Sequence, residues 1–407
     1  MNSMKKRDVE NRLLAFEDLI MRISEALSKG VVELHDVEIE ADELEIILQP
    51  VIAKAVAPIA ERIERRIVEL VKVAFEEVKL EFPGRVVEVK MGATKAEGGT
   101  RDKSIVLGGE NLPPYFYITG LELAPHPPAF GGDIFDMRIP LPKAVKDVFG
   151  DALDNPIEWA RVWVNKFGAE AIDVHLISTD PTIRDTPASE SAKLIEDLLQ
   201  QVKVPIVVGG SGNPRKDAEV FKKAVDVAEG ERIVLNSLNL DMDLKDLCPY
   251  LSKKDAVVIN FAPMDLDKAR EINRKVYDWI PKDRIMLDLN IAGIGYGIEY
   301  GFTVNERARL AALIGDVELQ HPFNVGAANA WSAREAWVSM DPYWGPREVR
   351  GPLWETLTCV ICLLTGADYF MLLHPVSMGV LKEIRDYLFT EPNPSIDRAL
   401  EWVSAKL

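Results

Sequence analysis

Cysteine is scarce in this chain of 407 residues, which contains only Cys248, Cys359 and Cys362. A sparse and odd count argues against a framework of disulfide bonds. Cys359 and Cys362 form a C-x-x-C pair inside an apolar run, whereas a closed zinc site or a 4Fe–4S cluster usually needs about four ligands. We therefore interpret the cysteines as core residues and expect no iron–sulfur cluster in this chain. A redox or shared-metal role is the alternative.

Positive charge and uninterrupted apolar runs are also lacking. The 48 Lys and Arg residues against 65 Asp and Glu residues leave a formal charge of −17, which repels a phosphate backbone, so we expect no nucleic-acid partner. No stretch of about 18 apolar residues is free of charge, so the sequence predicts no transmembrane helix and no membrane partner. The N-terminus is basic and then amphipathic, without the apolar core of a signal peptide, and we expect a cytoplasmic protein.

The rest of the composition is that of a folded chain. Hydrophobic residues make up 47% and charged residues 28% of the sequence, close to globular averages, which excludes a wholly disordered protein. The five histidines lie in separate segments and form no H-E-x-x-H zinc motif. We divide the chain into three parts, residues 1–80, 81–114 and 115–407.

Residues 1–80 are predicted to form an acidic helical extension. Residues 31–53 contain seven acids and no Lys or Arg, and apolar residues then recur with a period near that of a helix. This stripe consists of Val51, Ala55, Ile59, Ile63, Ile67 and Val71. The extension is either an appendage packed on the main domain or an arm used in assembly, and the sequence leaves both open.

Residues 81–114 carry two β-rich runs, Arg85–Val89 and Ser104–Leu107, on either side of turns rich in Gly and Thr. This pattern predicts a β-hairpin or barrel plug ahead of the main domain.

From Tyr115 onward, short β-branched runs alternate with amphipathic helical stretches. The predicted strands are 115–123, 171–178, 204–210, 232–238, 255–262, 284–290, 317–323 and 367–373. Eight strands, each followed by a helix, over about 275 residues match a TIM (β/α)8 barrel. An open doubly wound sheet is the alternative, but the count and the lack of a Gly-rich dinucleotide turn disfavour it. The predicted fold class is therefore α/β, a TIM barrel with an N-terminal helical extension and a short β-hairpin plug.

Polar residues collect after the predicted strands, where TIM barrels place their functional groups. The candidate cofactor-binding residues are Asp180, Ser211, Asn213, Asn236, Asn260, Asp288, Asn290, Asn324 and His374. Many are amides, which hydrogen-bond to heterocycle edges or other amides but are poor general acids or bases. The mouth is thus predicted to bind a ligand, and no catalytic residue or metal ligand is assigned. Asn and Asp also favour turns and helix caps, which is the structural alternative.

Three further motifs have a functional and a structural interpretation. The Gly209–Asn213 turn could hold a phosphate at the start of the following helix. The Asp173–Ser178 segment is close to a corrinoid-ligating Asp-x-His-x-x-Gly loop, but Ser178 replaces the final Gly, so we interpret His175 as an interior histidine. The aromatic segment Asp341–Pro346, near Trp331, Trp337 and Trp354, is either a cobamide or protein contact or a packed loop.

Three runs carry a family resemblance: MGATKAEGGTRDKSIVLGGENLPPY (91–115), IDVHLISTDP (172–181) and VPIVVGGSGNPRKD (204–217). With them the chain resembles, over roughly Val86 to Leu388, the small (delta) subunits of corrinoid iron–sulfur proteins. These subunits belong to acetyl-CoA decarbonylase/synthase (CO dehydrogenase/acetyl-CoA synthase) complexes. The N-terminal extension is more similar to the longer archaeal members than to the shorter bacterial ones.

The resemblance implies a TIM barrel paired with a large (gamma) subunit that carries the iron–sulfur cluster and ligates a cobamide. The cobamide would lie between that subunit and the mouth of this barrel. The heterodimer would carry a methyl group between a tetrahydropterin and the nickel site of the CO dehydrogenase/acetyl-CoA synthase subunits. This chain would then be a component without independent catalysis, in carbon fixation or in methanogenesis by acetate breakdown.

The barrel is also similar to pterin-dependent methyltransferases, in which strand-end carboxylates and amides grip the pterin edge. The residues in comparable places are Asp180, Asn213, Asn236, Asn260 and Asp288. A methyltransferase barrel that binds methyl-tetrahydropterin itself is therefore the second hypothesis. A purely architectural role in a large complex is the third.

Overall fold

The computed structural model describes residues 81–290 and 292–389. The predicted acidic helical extension, residues 1–80, lies outside this part of the chain. Within the described ranges, no helix is long and apolar enough to cross a membrane.

Two short strands precede the barrel. Strand β1 (Val89–Met91) pairs antiparallel with β2 (Ile105–Leu107), and Val89 lies opposite Leu107. They form the hairpin that the sequence predicted.

Eight parallel strands then close into a barrel. They are β3 (Ala129–Phe135), β4 (Ala171–His175), β5 (Ile206–Gly209), β6 (Val234–Leu238), β7 (Val257–Phe261), β8 (Ile285–Asp288), β9 (Phe323–Val325) and β10 (Tyr369–Leu372). Each barrel strand pairs with the next along the chain, and β10 pairs with β3 to close the sheet, with Phe370 opposite Phe130. The predicted α/β TIM barrel is confirmed.

Helices precede the barrel, connect its strands and follow the last strand. They are α1 (Pro114–Ile118), α2 (Lys143–Phe149), α3 (Pro156–Phe167), α4 (Ala188–Gln201), α5 (Pro214–Val227), α6 (Leu244–Leu251), α7 (Leu266–Tyr277), α8 (Ile298–Leu313), α9 (Arg347–Leu364) and α10 (Pro375–Phe389). Pro156 and Pro214 occupy the first turns of α3 and α5, where the missing N–H of proline costs no intrahelical hydrogen bond.

The hairpin closes the amino-terminal end of the barrel. Its buried side chains Val89, Met91 and Leu107 share one apolar cluster with Ala129 and Ala171, the first residues of β3 and β4. The hairpin therefore covers the amino-terminal end of the barrel interior. The carboxyl ends of the strands remain the accessible end.

The prediction of the first barrel strand at 115–123 is wrong. Pro113 and Pro114 precede this segment, and its first residues form α1 instead. The first barrel strand is β3. Gly131 and Gly132 lower its β propensity, so the sequence pattern did not indicate a strand there. The glycines are needed because a Cβ at Gly131 would lie 2.0 Å from Oη of Tyr369, and one at Gly132 would lie 2.5 Å from the Trp163 ring. The predicted strand 317–323 is likewise displaced, since β9 starts at Phe323.

Candidate functional site

Alternation along the barrel strands decides which side chains face the interior of the barrel. In β4, Ile172 and Val174 belong to the apolar core shared with the helices, whereas Ala171 belongs to the cluster inside the barrel. Asp173 and His175 have the same parity as Ala171 and therefore lie inside, with His175 at the carboxyl end. We call this end of the barrel the mouth.

An acid–histidine group, consisting of Asp133, Asp173, His175 and Tyr369, extends from the interior of the barrel to the mouth. Nε2 of His175 lies 3.3 Å from Oδ2 of Asp133, and Oη of Tyr369 donates to Oδ1 of Asp173 over 2.7 Å. Oδ1 of Asp133 and Oδ2 of Asp173 are buried without a hydrogen-bond partner among the described residues. Unpaired buried oxygens are costly, so a hydrogen-bond donor that reached them would stabilise the group.

Burial and mutual charge set the protonation of this group. Burial raises the pKa of Asp173 well above its usual range, and the charge of Asp133 raises it further. For His175, burial acts to lower the pKa, but the charge and contact of Asp133 outweigh it, so that the pKa is raised. The group thus combines a carboxyl that favours its neutral form with an imidazole that favours its charged form, and it can both donate and accept hydrogen bonds.

Two glycines make room for the acid–histidine group. A Cβ at Gly131 would lie 2.1 Å from Oδ2 of Asp173, and a Cβ at Gly209 would lie 2.8 Å from Nδ1 of His175. Any larger residue at either position would displace the polar side chains.

An amide group, consisting of Asn236, Asp288 and Asn324, also lies inside the barrel. Nδ2 of Asn324 donates to Oδ2 of Asp288 over 2.6 Å, and Nδ2 of Asn236 lies 3.6 Å from Sδ of Met371. Burial raises the pKa of Asp288 to about 7, although hydrogen bonds from Asn290 and Asn324 act to lower it. Asp288 can therefore be a donor or an acceptor near neutral pH.

A cleft of about 530 Å³ lies at the mouth. Most of its lining is apolar and comprises Phe135, Ile139, Pro140, Leu141, Pro142, Ala328, Trp331, Trp337 and Leu373. Its polar lining includes Asp133 and His175 of the acid–histidine group. Two of the tryptophans near the aromatic segment, Trp331 and Trp337, thus lie in the cleft. Trp354 instead packs against Trp344, with the ring centroids 6.4 Å apart and the ring planes tilted by 37°.

Three predicted residues instead shape the loops around the mouth. Oδ1 of Asp180 accepts from the N–H and hydroxyl of Thr182, and Oδ1 of Asn213 accepts from Lys216 N at the start of α5. The N–H groups of Ser211 and Gly212 donate to the carboxylate of Asp217 over 2.7 and 2.9 Å. The chain's own carboxylate therefore accepts hydrogen bonds from the N–H groups that could otherwise have held a phosphate.

Three others lie behind the barrel wall or at its rim. Nδ2 of Asn260 donates to Asn273 of α7 over 2.7 Å, which places Asn260 in the layer between barrel and helices. Nδ2 of Asn290 donates to Asn305 of α8. Nδ1 of His374 accepts from Val376 N at the start of α10, while its ring packs against Trp331 with centroids 5.8 Å apart.

Sequence reasoning left the acid–histidine residues out of the candidate set. The signal for two of them was present, because the Asp-x-His spacing in a predicted strand places both side chains on one face. Asp133 lay in a segment that was not recognised as a strand, and Tyr369 reaches Asp173 across 196 positions of sequence.

A larger cavity, of about 600 Å³, lies near the hairpin and away from the mouth. Several of its charged residues form ion pairs with one another, as Arg232 does with Glu97 at 3.4 Å and with Asp255 at 3.1 Å. Because these charges are already compensated, we place the candidate site at the mouth.

The described residues contain no group of three or more His, Cys, Asp or Glu side chains that could hold a metal ion. Cys359 and Cys362 are buried on α9, and burial raises the pKa of the Cys362 thiol to about 12. A thiol with so high a pKa is neutral unless a metal ion displaces its proton, and this pair alone would supply two ligands.

The family model and the named relatives of this chain agree with one another. The family model of the CO dehydrogenase/acetyl-CoA synthase delta subunit matches residues 88–343. The acetyl-CoA decarbonylase/synthase complex subunit delta of Archaeoglobus fulgidus is 46% identical over 342 residues, which cover 82% of this chain and 75% of that protein. Its namesake from Methanopyrus kandleri is 42% identical over 364 residues, covering 88% and 90%. Among solved structures, a Coxiella burnetii dihydropteroate synthase with pteroic acid is similar at a TM-score of 0.47 and 15% identity, covering 75% of this chain and 100% of that one.

The matched range starts at the hairpin and includes mouth residues Asp133, His175 and Asp288. The agreement between the family model and relatives that cover most of the chain confirms the resemblance drawn from the sequence motifs. This chain belongs to the family of CO dehydrogenase/acetyl-CoA synthase delta subunits.

Proposed function

We propose that the mouth of this barrel covers a cobamide that the large (gamma) corrinoid iron–sulfur subunit holds. The heterodimer would carry a methyl group between a tetrahydropterin and the nickel site of the CO dehydrogenase/acetyl-CoA synthase subunits. The observation that carries this proposal is the cleft of about 530 Å³, with apolar walls above His175 and Asp133. Ligand sites commonly enclose ~300–1,000 Å³ and combine apolar walls with a few polar groups, and the broad face of a corrin ring suits such walls.

The side chains of this chain are better suited to covering a cobamide than to ligating its cobalt. Nε2 of His175 faces the carboxylate of Asp133, and the cysteines are buried and favour the neutral thiol. The bound cobamide supplies the cobalt that accepts and releases the methyl group. Trp337 and Phe135 would contact the ring and exclude water, and His175 would offer a hydrogen bond at the floor of the cleft.

Cobalt accessibility tests the cover. In the heterodimer with the cobamide-loaded gamma subunit, Trp337→Ala is expected to speed the binding of added cyanide to cobalt and to change the corrinoid absorption spectrum. Trp279→Ala is the matched control, because Trp279 is 43% exposed and lines a separate cavity with Leu240 and Met242. Equal cyanide rates and spectra for wild type and Trp337→Ala would refute the cover.

A second candidate function is direct binding of methyl-tetrahydropterin. The amide group supports it, because the Asp288–Asn324 pair offers a donor and an acceptor side by side, as a pterin edge requires. Burial that raises the pKa of Asp288 to about 7 lets this carboxyl take either role.

Calorimetry with methyl-tetrahydropterin separates the two functions. If the second holds, the full-length chain binds the pterin, Asp288→Ala abolishes binding, and Asp180→Ala leaves it unchanged because Asp180 only stabilises a turn with Thr182. Absence of binding to the wild-type chain would eliminate this candidate and leave the cover intact.

A further inference from the structure

Helix α9 exposes an apolar face. Val349, Leu353, Leu357 and Leu364 are 55%, 49%, 37% and 46% exposed, respectively. At 3.6 residues per turn, these four side chains lie within about 80° of the helix circumference. We call them the α9 stripe. The outward faces of surface helices are ordinarily polar, so the stripe is unusual for the outer layer of a barrel.

The opposite face of α9 belongs to the core, so the helix is apolar on both faces. Cys359 and Cys362 are buried, and Glu355 is buried as well, with its carboxylate accepting from the N–H groups of Leu373 and His374. Glu355 is the only Asp, Glu, Lys or Arg between Gly351 and Leu364. Helices that are apolar all round are normally buried, which indicates that another surface covers the stripe.

An exposed aromatic segment joins the stripe to the mouth. Trp337 lines the mouth cleft and is 44% exposed, and Tyr343, a few residues further on, is 95% exposed. Trp344 then packs against Trp354 of α9. Tyr and Trp are enriched in protein interfaces, and this segment makes the surface continuous from the cleft to Val349.

We propose that the α9 stripe is the docking surface for the same gamma subunit whose cobamide the mouth covers, an inference that rests on the proposed function. The partner would present a complementary apolar face, since the stripe offers no charge to pair. A second copy of this chain fits less well, because each copy has a formal charge of −17 and like charges oppose association. The relatives are named as subunits of a complex, which agrees with a partner of a different kind.

Two charges on the stripe test the proposal. The double variant Leu353→Glu/Leu357→Glu of the full-length chain is expected to bind the cobamide-loaded gamma subunit at least about 100-fold more weakly by sedimentation or biosensor titration. Leu353→Ser, which adds no charge, should weaken it less. Val227→Glu is the matched control, as Val227 is 37% exposed at the end of α5. Thermal unfolding of each free variant checks that the chain remains folded.

The outcomes separate this inference from the proposed function. If the folded double variant binds the gamma subunit as tightly as wild type, the proposed docking surface is refuted. It is also refuted if the double variant loses only self-association of this chain. Loss of affinity in the stripe variant, with cyanide access unaltered by Trp337→Ala, supports the docking surface and refutes the cover. If Trp337→Ala alters cyanide access while the stripe variant keeps its affinity for the gamma subunit, the cover is supported and the docking surface is refuted.

Discussion

Gly131 faces side chains of two other strands inside the barrel. A Cβ on it would lie 2.0 Å from Oη of Tyr369 and 2.1 Å from Oδ2 of Asp173. Oη of Tyr369 donates a hydrogen bond to the other carboxylate oxygen of Asp173, Oδ1. The absence of one carbon atom in β3 therefore allows the group to form.

Gly131→Ala is expected to lower the free energy of unfolding by about 1–3 kcal/mol, because the barrel interior cannot take the added methyl group without moving Asp173 or Tyr369. Chemical denaturation measures this. Gly379→Ala is the control: apart from the adjacent residues and the helix's own backbone, no atom lies within 4 Å of the added Cβ, and alanine should stabilise the interior of α10 by ~0.5–1 kcal/mol. Equal stability of Gly131→Ala and wild type would contradict the crowded geometry.

Asp288 makes stability depend on pH. Burial raises its pKa from 3.8 to about 7, so between these values the folded chain binds more protons than the unfolded chain. Ionisation of Asp288 therefore destabilises the folded chain increasingly as the pH rises through this window, by at most about 1.4 kcal/mol per pH unit.

Asp288→Asn cannot ionise, so its stability relative to wild type is expected to rise between pH 5 and 7 and to level off above. Denaturation at several pH values measures the difference, in which the contributions of other buried acids cancel. Asp180→Asn should show no such trend, because hydrogen bonds from Thr182 lower the pKa of Asp180 and it is ionised throughout. A flat difference for Asp288→Asn would disprove the raised pKa.

At the scale of elements, Arg101 fastens the hairpin to the outer helices. It lies in the turn between β1 and β2, where Nε donates to Glu231 over 2.8 Å and the Nη atoms donate to the carbonyls of Leu199 and Val202 at the end of α4. The last carbonyls of a helix have no intrahelical donors. The Thr-Arg portion of the family motif thus has a structural reason: it caps a helix and secures the barrel plug.

Arg101→Met is expected to cost about 3–5 kcal/mol of stability, because it leaves the carboxylate of Glu231 buried without its cation. Adding Glu231→Gln should recover part of the loss, since an amide tolerates burial better than an unpaired charge. A double-mutant cycle from denaturation curves measures the coupling. Additive effects of the two substitutions would show that the ion pair contributes nothing.

At the scale of the whole molecule, the chain is expected to work as a metal-free cover within a complex. Elemental analysis of the isolated full-length chain should find no stoichiometric cobalt or iron, because the described residues contain no metal-ligating cluster and the buried thiols favour the neutral form. After mixing with the gamma subunit, both metals should co-elute with the chain. Stoichiometric cobalt or iron in the isolated chain would refute the assignment of both metals to the gamma subunit.

Most of the barrel was predictable from sequence, whereas most of the site was not. Every predicted strand from 171–178 onward overlaps a strand of the barrel, because β-branched runs and amphipathic helices alternate regularly. The first strand was missed because Gly131 and Gly132 serve packing rather than β propensity. Asn260 was expected at the mouth but faces α7, because strand β7 is apolar on both faces and its parity cannot be read from sequence.

The sequence by itself determined the fold class, the hairpin ahead of the barrel and the family, since these depend on local periodicity and on short motifs. Only the tertiary structure decided which polar residues meet. Asp133, His175 and Tyr369 come from three strands, and the Tyr369–Asp173 hydrogen bond spans 196 positions. Closure of the sheet brings β10 beside β3, and the register of that closure sets which side chains point inward. Neither the closure of the sheet nor its register can be read from local sequence.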